Sequence, residues 1–276
     1  MSQPQLDSVR SMYDERSEQY DENKVHVRQA RDYLDWAQVK EGESVLDLAC
    51  GTGLVALGAK DVVGPSGYVV GVDISEGMLN VARRKAEAAG VEVLFTNHDI
   101  SDLSGLEILP KGSIGFDVIT CAAALILLDD PLQAVRNWST LLRPGGRVVT
   151  DVQTKDANLV MNIFAAIAPG VGETVPWHAH RWQSQAALEQ LMVDAGLTVQ
   201  TVFETGTYAT THYDRAAAPD LFDQAVGKSM FKNFGREPMR EKAKALFVDK
   251  FTHLAGPTGA IDEECRYWIV VATSPL

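Results

Sequence analysis

The segment of this chain best suited to chemistry is Val45-Leu46-Asp47-Leu48-Ala49-Cys50-Gly51-Thr52-Gly53, which Ala56 extends to the pattern G-x-G-x-x-A. Glycines where a strand gives way to a helix permit positive φ and let a ligand lie against the backbone. The helix start that follows presents free N–H groups. Asp73 stands 20 residues beyond Gly53, at the end of the next apolar run, where a carboxylate can accept hydrogen bonds from ribose hydroxyls. Those two features alone also fit a dinucleotide. Asp47 discriminates, because a carboxylate just before the loop repels a pyrophosphate and favours a ligand carrying an ammonium and a sulfonium.

A second group, Trp177-His178-Ala179-His180-Arg181-Trp182, holds two histidines at i, i+2 that face the same way on an extended segment. His178 and His180 are therefore candidate bases, and Trp177 and Trp182 candidate walls of an aromatic pocket, against the alternative of a loop clamped to the protein by its tryptophans. No third ligand is placed by spacing, so no metal is expected. Tyr208, His212 and Tyr213 form a smaller group that could reach the mouth of a site. Cys50, Cys121 and Cys265 lie far apart without a CxxC spacing, and Cys50 and Cys121 read as small packing residues with no basic partner.

These residues need a scaffold, and the first half of the chain alternates strand and helix patterns as a parallel α/β sheet does. Strands are expected at 44–49, 68–72, 91–96, 116–123 and 146–152, with helices at 54–63, 76–89 and 131–142 between them. Gly90 closes the second of these helices, and Pro131 opens the third. A helix at 184–195 and a strand at 198–203 follow, and 266–272 returns to a strong strand pattern. Between them, residues 207–262 read as helix-rich with no clear strand. With 155–182 they form two insertions that can cover a site beyond the sheet edge. One domain over residues 1–276 accounts for this more economically than two.

The 276 residues carry 25 Lys+Arg against 37 Asp+Glu, a net charge of −12 that disfavours nucleic acid and anionic membranes as partners. Hydrophobic residues at 46% supply a sizeable core and exclude a disordered chain. No run approaches the roughly 18 apolar residues of a membrane span and no apolar signal segment opens the chain, so a cytoplasmic protein is expected.

Taken together the motifs resemble the class I S-adenosylmethionine-dependent methyltransferases, in particular the small-molecule branch with the ubiquinone and menaquinone C-methyltransferases. The resemblance covers roughly residues 40–205. It rests on Asp47 to Gly53, Val72-Asp73-Ile74-Ser75 with Met78, Asn97-His98-Asp99-Ile100, Phe116-Asp117-Val118, Leu141-Leu142-Arg143-Pro144-Gly145-Gly146 and Leu188 to Leu197. It implies a Rossmann-like α/β fold: a seven-stranded sheet, mostly parallel, with an antiparallel last strand and helical cap insertions. It also implies S-adenosylmethionine as cofactor, leaving as S-adenosylhomocysteine. By the same resemblance Gly51 and Gly53 pass under the methionine part, with Ala49 in the loop, and Asp47 helps anchor the ammonium. Asp73 takes the ribose, Ile74 and Met78 touch the adenine, Asp99 and the Ile100 N–H read its edge, and the carbonyl near Ala122 faces the methionine portion. Tyr13-Asp14-Glu15 and Gln19-Tyr20-Asp21 resemble the family's opening helix, so residues 1–40 are expected as a lid in which Tyr20, or next Tyr13, closes over the cofactor.

One departure bears on the acceptor. Polar residues often follow strand four in this family, whereas Ala122 to Leu128 is apolar here, which argues against a base from that loop and for a greasy acceptor. The expected activity is methyl transfer by in-line displacement to a small apolar or aromatic metabolite. Two alternatives are a methyltransferase-fold protein that binds the cofactor without methylating, and a nicotinamide-dependent oxidoreductase. The latter leaves Asp47 and the Arg143 to Gly146 turn without a role.

Overall fold

The computed structural model describes residues 3–178 and 181–276. The chain opens with α1 (Gln3–Arg16) and α2 (Lys24–Ala37) and then enters the alternating region. This runs β1 (Ser44–Leu48), α3 (Leu54–Val63), β2 (Tyr68–Asp73), α4 (Glu76–Ala89), β3 (Leu94–Asn97), β4 (Phe116–Cys121), α5 (Pro131–Ser139) and β5 (Leu142–Gln153). Its helices start and stop where local chemistry dictates. Ser75 accepts the Met78 N–H at the start of α4, Asp130 accepts the Gln133 N–H before α5, and Gly90 ends α4 in the left-handed region. The second half adds α6 (Leu159–Val171), α7 (Gln185–Asp194), β6 (Thr198–Glu204), β7 (Ala209–Asp214), α8 (Ala218–Val226), α9 (Arg240–Ala255), β8 (Ala260–Cys265) and β9 (Tyr267–Thr273).

The main sheet has seven strands in the order β3-β2-β1-β4-β5-β9-β6. Strands β1 to β5 pair in parallel, while β9 lies between β5 and β6 and runs antiparallel to both. The fold expected from the sequence is therefore the one observed. Strand order reverses between β1 and β4, which opens a crevice at their carboxyl ends, the place where sheets of this kind bind ligands.

The insertion expected to hold no strand is corrected by the structure. β7 and β8 pair antiparallel as a separate two-stranded sheet, from Ala209↔Cys265 through His212↔Asp262 to Asp214↔Ala260. Ala-Thr-Thr-His-Tyr-Asp and Ala-Ile-Asp-Glu-Glu-Cys lack apolar alternation because both strands are half exposed, so the period-two signal is missing. Smaller differences follow from pairing. β5 begins at Leu142 because Leu142 pairs with Phe116, and a register shift then accommodates the turn before Arg147 resumes opposite Val118.

Apolar clusters fill both faces of the main sheet, and a third lies apart from it. In the third, Phe164 of α6 has Phe231, Phe234, Phe247 and Phe222 around it at ring-centroid distances of 4.5, 4.8, 5.1 and 5.7 Å. Each buried aromatic of this kind contributes on the order of 1.5–3 kcal/mol. Val9 of α1, Leu127 after β4 and Trp177 join the same cluster, so one apolar core ties the N-terminal helix and both insertions to the carboxyl edge of the sheet.

Candidate active site

At the crevice, Ala49 and Gly51 both adopt φ of 53° and Gly53 adopts 78°, so the chain turns sharply from β1 into α3. A side chain on Gly51 would project into open space, whereas one on Gly53 would press on Ala82 and Phe95. Gly51 therefore leaves room for a ligand, and Gly53 serves the packing of α3 against its neighbours. The Gly51 N–H donates to Asp73 Oδ2 at 2.8 Å and the Ser75 N–H donates to Asp73 Oδ1 at 2.8 Å. Burial raises the Asp73 pKa, opposed by those backbone donors. Ser75, rather than Asp73, caps α4, which leaves the remaining lone pairs of the Asp73 carboxylate for a ligand.

One cavity gathers most of the residues singled out from the sequence. Its walls include Ala49, Gly51, Asp73, Ile74 and Met78 from the first two strand ends, and Asp99, Ile100 and Ala122 from the next two. Tyr13 and Tyr20 roof it. Asp99 is held by accepting the Ser101 N–H at 2.9 Å, and Ile100 by its carbonyl accepting Trp138 Nε1–H at 2.6 Å. Asp47 lies deeper, in a small adjoining cavity with Ala49, Gly51, Tyr20 and His26. Its Oδ1 accepts the Thr120 hydroxyl at 2.8 Å and its Oδ2 the Ala56 N–H at 3.1 Å, so it also pins β1 to β4 and α3. Burial pushes its pKa up to about 7 against those two bonds.

The N-terminal segment is fastened over this cavity by carboxylates. Asp14 Oδ1 accepts the Ser75 hydroxyl at 2.5 Å and the Gly77 N–H at 2.9 Å. Asp21 accepts the Thr52 hydroxyl at 2.5 Å and pairs with Lys85 at 2.8 Å, and Glu18 pairs with Arg84 at 2.7 Å. Tyr20 stacks on His26 at 4.3 Å, and burial drives the Tyr20 pKa up and the His26 pKa down.

A larger cavity of about 650 Å³ adjoins the first and shares Tyr13, Tyr20, Ala123 and Leu127 with it. Met161, Leu221, Met230, Phe231 and Tyr213 make much of its wall apolar. Asp151, at the end of β5, lines it and is fully buried. Its Oδ1 accepts the Ala123 N–H at 2.7 Å and its Oδ2 accepts Gln29 Nε2–H at 2.5 Å. Burial pushes its pKa up to about 7, opposed first by the Ala123 bond. Sequence reading missed Asp151, His26 and Gln29. An acid inside the apolar run Val148-Val149-Thr150-Asp151-Val152 was the available signal, since such a residue is buried only with partners or a task.

The remaining expected residues lie elsewhere. His178 bonds through Nε2 to Asp129 at 2.7 Å and lines, with Trp177, a further cavity of about 650 Å³ beside α6. Trp177 stacks edgewise on Phe231 at 5.5 Å in the third core cluster, so it walls the insertion rather than the glycine-loop cavity. Trp182 is buried in the sheet cluster and lines none of these four cavities. Tyr208 donates its hydroxyl to Asp32 beneath Arg28, packed on Tyr267, and His212 sits exposed on β7 paired with Asp262 at 2.7 Å. Neither lines the two cavities at the crevice, whereas Tyr213, next to His212 on β7 and therefore on the opposite face, lines the larger one. His180 lies outside the described residues. Among the described residues no cluster of metal-ligating side chains occurs, and no helix is long and apolar enough to cross a membrane.

Comparison with known proteins follows the same lines. A family model described as a methyltransferase domain matches residues 45–146. The ubiquinone/menaquinone biosynthesis C-methyltransferase UbiE of Saccharophagus degradans is 30% identical over 187 residues, 65% of this chain and 72% of that protein. The demethylmenaquinone methyltransferase of Listeria welshimeri is 25% identical over 237 residues, 77% of this chain and 98% of that protein. Among solved structures, magnesium protoporphyrin IX methyltransferase of Synechocystis PCC 6803, with S-adenosylhomocysteine bound, shares the fold at a TM-score of 0.53 and 14% identity, over 91% of this chain and 84% of that one. Motif order, sheet topology and these relatives agree: the chain belongs to the class I S-adenosylmethionine-dependent methyltransferases, and S-adenosylmethionine is its cofactor.

Proposed function

We propose that this enzyme methylates a small apolar or aromatic acceptor held in the larger cavity. The observation that carries this reading is the wall shared by the two cavities: Tyr13, Tyr20, Ala123 and Leu127 border both, so molecules in the two meet there. S-adenosylmethionine supplies a methyl carbon already activated by positive sulfur. What the protein must add is alignment and exclusion of water.

In this reading Asp73 takes the ribose hydroxyls, Asp99 and the Ile100 N–H read the adenine edge, and Ile74 and Met78 pack on its faces. Asp47 attracts the ammonium, and Gly51, with its open Cβ direction, gives the cofactor clearance. Residues 1–40 act as the lid, and the insertions at 155–182 and 207–262 as the cap that selects the acceptor. Asp151 accepts the acceptor's proton, a role suited to a carboxyl group whose pKa is near neutrality. His178, engaged by Asp129 beside a different cavity, fits a supporting role better than that of base. A ring of the kind named for the menaquinone and ubiquinone relatives falls within this class of acceptor.

The test is incubation of the protein with methyl-labelled S-adenosylmethionine and fractionated metabolite extracts, read by mass spectrometry. The expected result is a labelled product of apolar or aromatic character, formed with S-adenosylhomocysteine. Cofactor binding with a substrate consumed and no label gained would favour the non-methylating alternative. Absence of binding to either form of the cofactor by calorimetry would overturn both.

A further inference from the structure

The larger cavity is apolar over much of its wall but not neutral. Four charged side chains line it apart from His26: Glu15, Arg16, Asp151 and Lys228. The two carboxylates are supplied with donors. Asp151 has the Ala123 N–H and Gln29, and Glu15 accepts the Ser229 hydroxyl at 2.8 Å and the Ser11 hydroxyl at 3.4 Å. Among the described residues the two cations are not supplied with anions. The Arg16 guanidinium lies over the Tyr13 ring at 4.4 Å and the Tyr20 ring at 5.1 Å, and among the described residues no carboxylate pairs with it. Lys228 likewise forms no ion pair among the described residues.

An unpaired guanidinium held on two aromatic faces at a cavity wall has its orientation set before any ligand arrives. Its planar fork matches a carboxylate through two parallel bonds. The rings that orient it are Tyr13 and Tyr20, the two that border the cofactor cavity as well. We propose that the acceptor is an apolar or aromatic acid whose carboxylate is received by Arg16, with Lys228 adding attraction from the same cavity wall. This rests on the methyltransferase reading above and narrows its substrate class.

A further consequence is coupling. An acid bound to Arg16 fixes the guanidinium and hence the two tyrosines, so acid and cofactor retain one another, by linkage to the same factor in each direction.

The experiment uses the full chain saturated with S-adenosylhomocysteine. It compares two pairs of probes matched in shape and differing in charge: 2-naphthoate against 2-naphthamide, and dodecanoate against dodecanamide, by calorimetry. The proposal expects at least one acid to bind about tenfold or more tightly than its amide. In Arg16→Gln the ratio should fall to about one, and in Lys228→Gln to an intermediate value. Because each result is a ratio on cofactor-saturated protein, any loss of cofactor affinity or stability in Arg16→Gln cancels. The dissociation of S-adenosylhomocysteine should also slow when the acid is bound to the wild-type protein and remain unchanged by the amide. Equal affinities for acid and amide, no binding of either acid, or a preference that survives Arg16→Gln would each overturn the proposal while leaving the methyltransferase reading intact. Failure of wild-type protein to bind S-adenosylhomocysteine at all would instead strike that reading.

Discussion

Asp73 Oδ2 accepts the Gly51 N–H at 2.8 Å, which makes the carboxylate proposed for the sugar also the anchor of the loop over which the methionine part is proposed to lie. Replacing Asp73 by Ala thus removes a ligand contact and a loop support together. Hydrogen bonds to a charged group contribute about 1.5–3 kcal/mol, so affinity for S-adenosylhomocysteine should fall roughly 10- to 100-fold by calorimetry. Asp73→Asn keeps one acceptor and should lose less.

Gly51 supplies a second, separable test. Its φ of 53° lies in the left-handed region, where an added Cβ costs on the order of 1–2 kcal/mol, but nothing within 4 Å opposes that Cβ. Gly51→Ala should therefore lower the melting temperature modestly while weakening the cofactor by a larger factor, because the methyl group occupies the ligand's space. A stability loss with undiminished cofactor affinity would mean that the cofactor does not pass over Gly51.

The cavity proposed for the cofactor was legible in the sequence because its lining is written in short motifs at strand ends, whose positions follow from strand and helix lengths. Asp73, Asp99, Ile100 and Ala122 come together for that reason. The cavity proposed for the acceptor was not legible. It is assembled from α1, the end of β5 and the helices around Phe164, segments far apart in sequence that meet only through the third core cluster. The histidine and tryptophan group stood out by composition, yet Trp177 is spent on packing and His178 on Asp129. Asp151 was hidden because one acid within a strand carries no spacing pattern, and β7 with β8 because two half-exposed strands carry no apolar period.

Asp47 and Asp151 make the fold pH-sensitive in a stated direction. Both have folded pKa values pushed by burial up to about 7, above the unfolded value of about 3.9. Between those values the native state binds more protons than the unfolded chain. The stability they contribute is full below about pH 4 and is lost as pH rises to about 7, by at most about 1.4 kcal/mol per pH unit for each group. Asp151→Asn removes one of these titrations, so its stability relative to wild type in denaturant melts should improve from pH 5 to about pH 7 and level off above it. If Asp151 is also the base, turnover of Asp151→Asn on the identified acceptor should fall roughly 100-fold, and the rise in rate near pH 7 should vanish.

The fastening of the N-terminal segment separates burial from mere proximity. Glu18 and Arg84 are 70% and 56% exposed, and such pairs contribute little net stability. Asp21 and Lys85 are 34% and 32% exposed, and both also reach the loop itself: Asp21 accepts the Thr52 hydroxyl at 2.5 Å and Lys85 donates to the Thr52 carbonyl at 2.9 Å. If residues 1–40 must lift for the cofactor to leave, Asp21→Asn should speed S-adenosylhomocysteine release several-fold in stopped-flow displacement, and Glu18→Gln should leave it nearly unchanged. Added salt should accelerate wild-type release only weakly, because the Asp21 contacts are partly shielded from solvent and include a hydroxyl bond that salt does not screen. Equal effects of the two variants would show that general surface charge, and not the Asp21 contact with the glycine loop, holds the segment down.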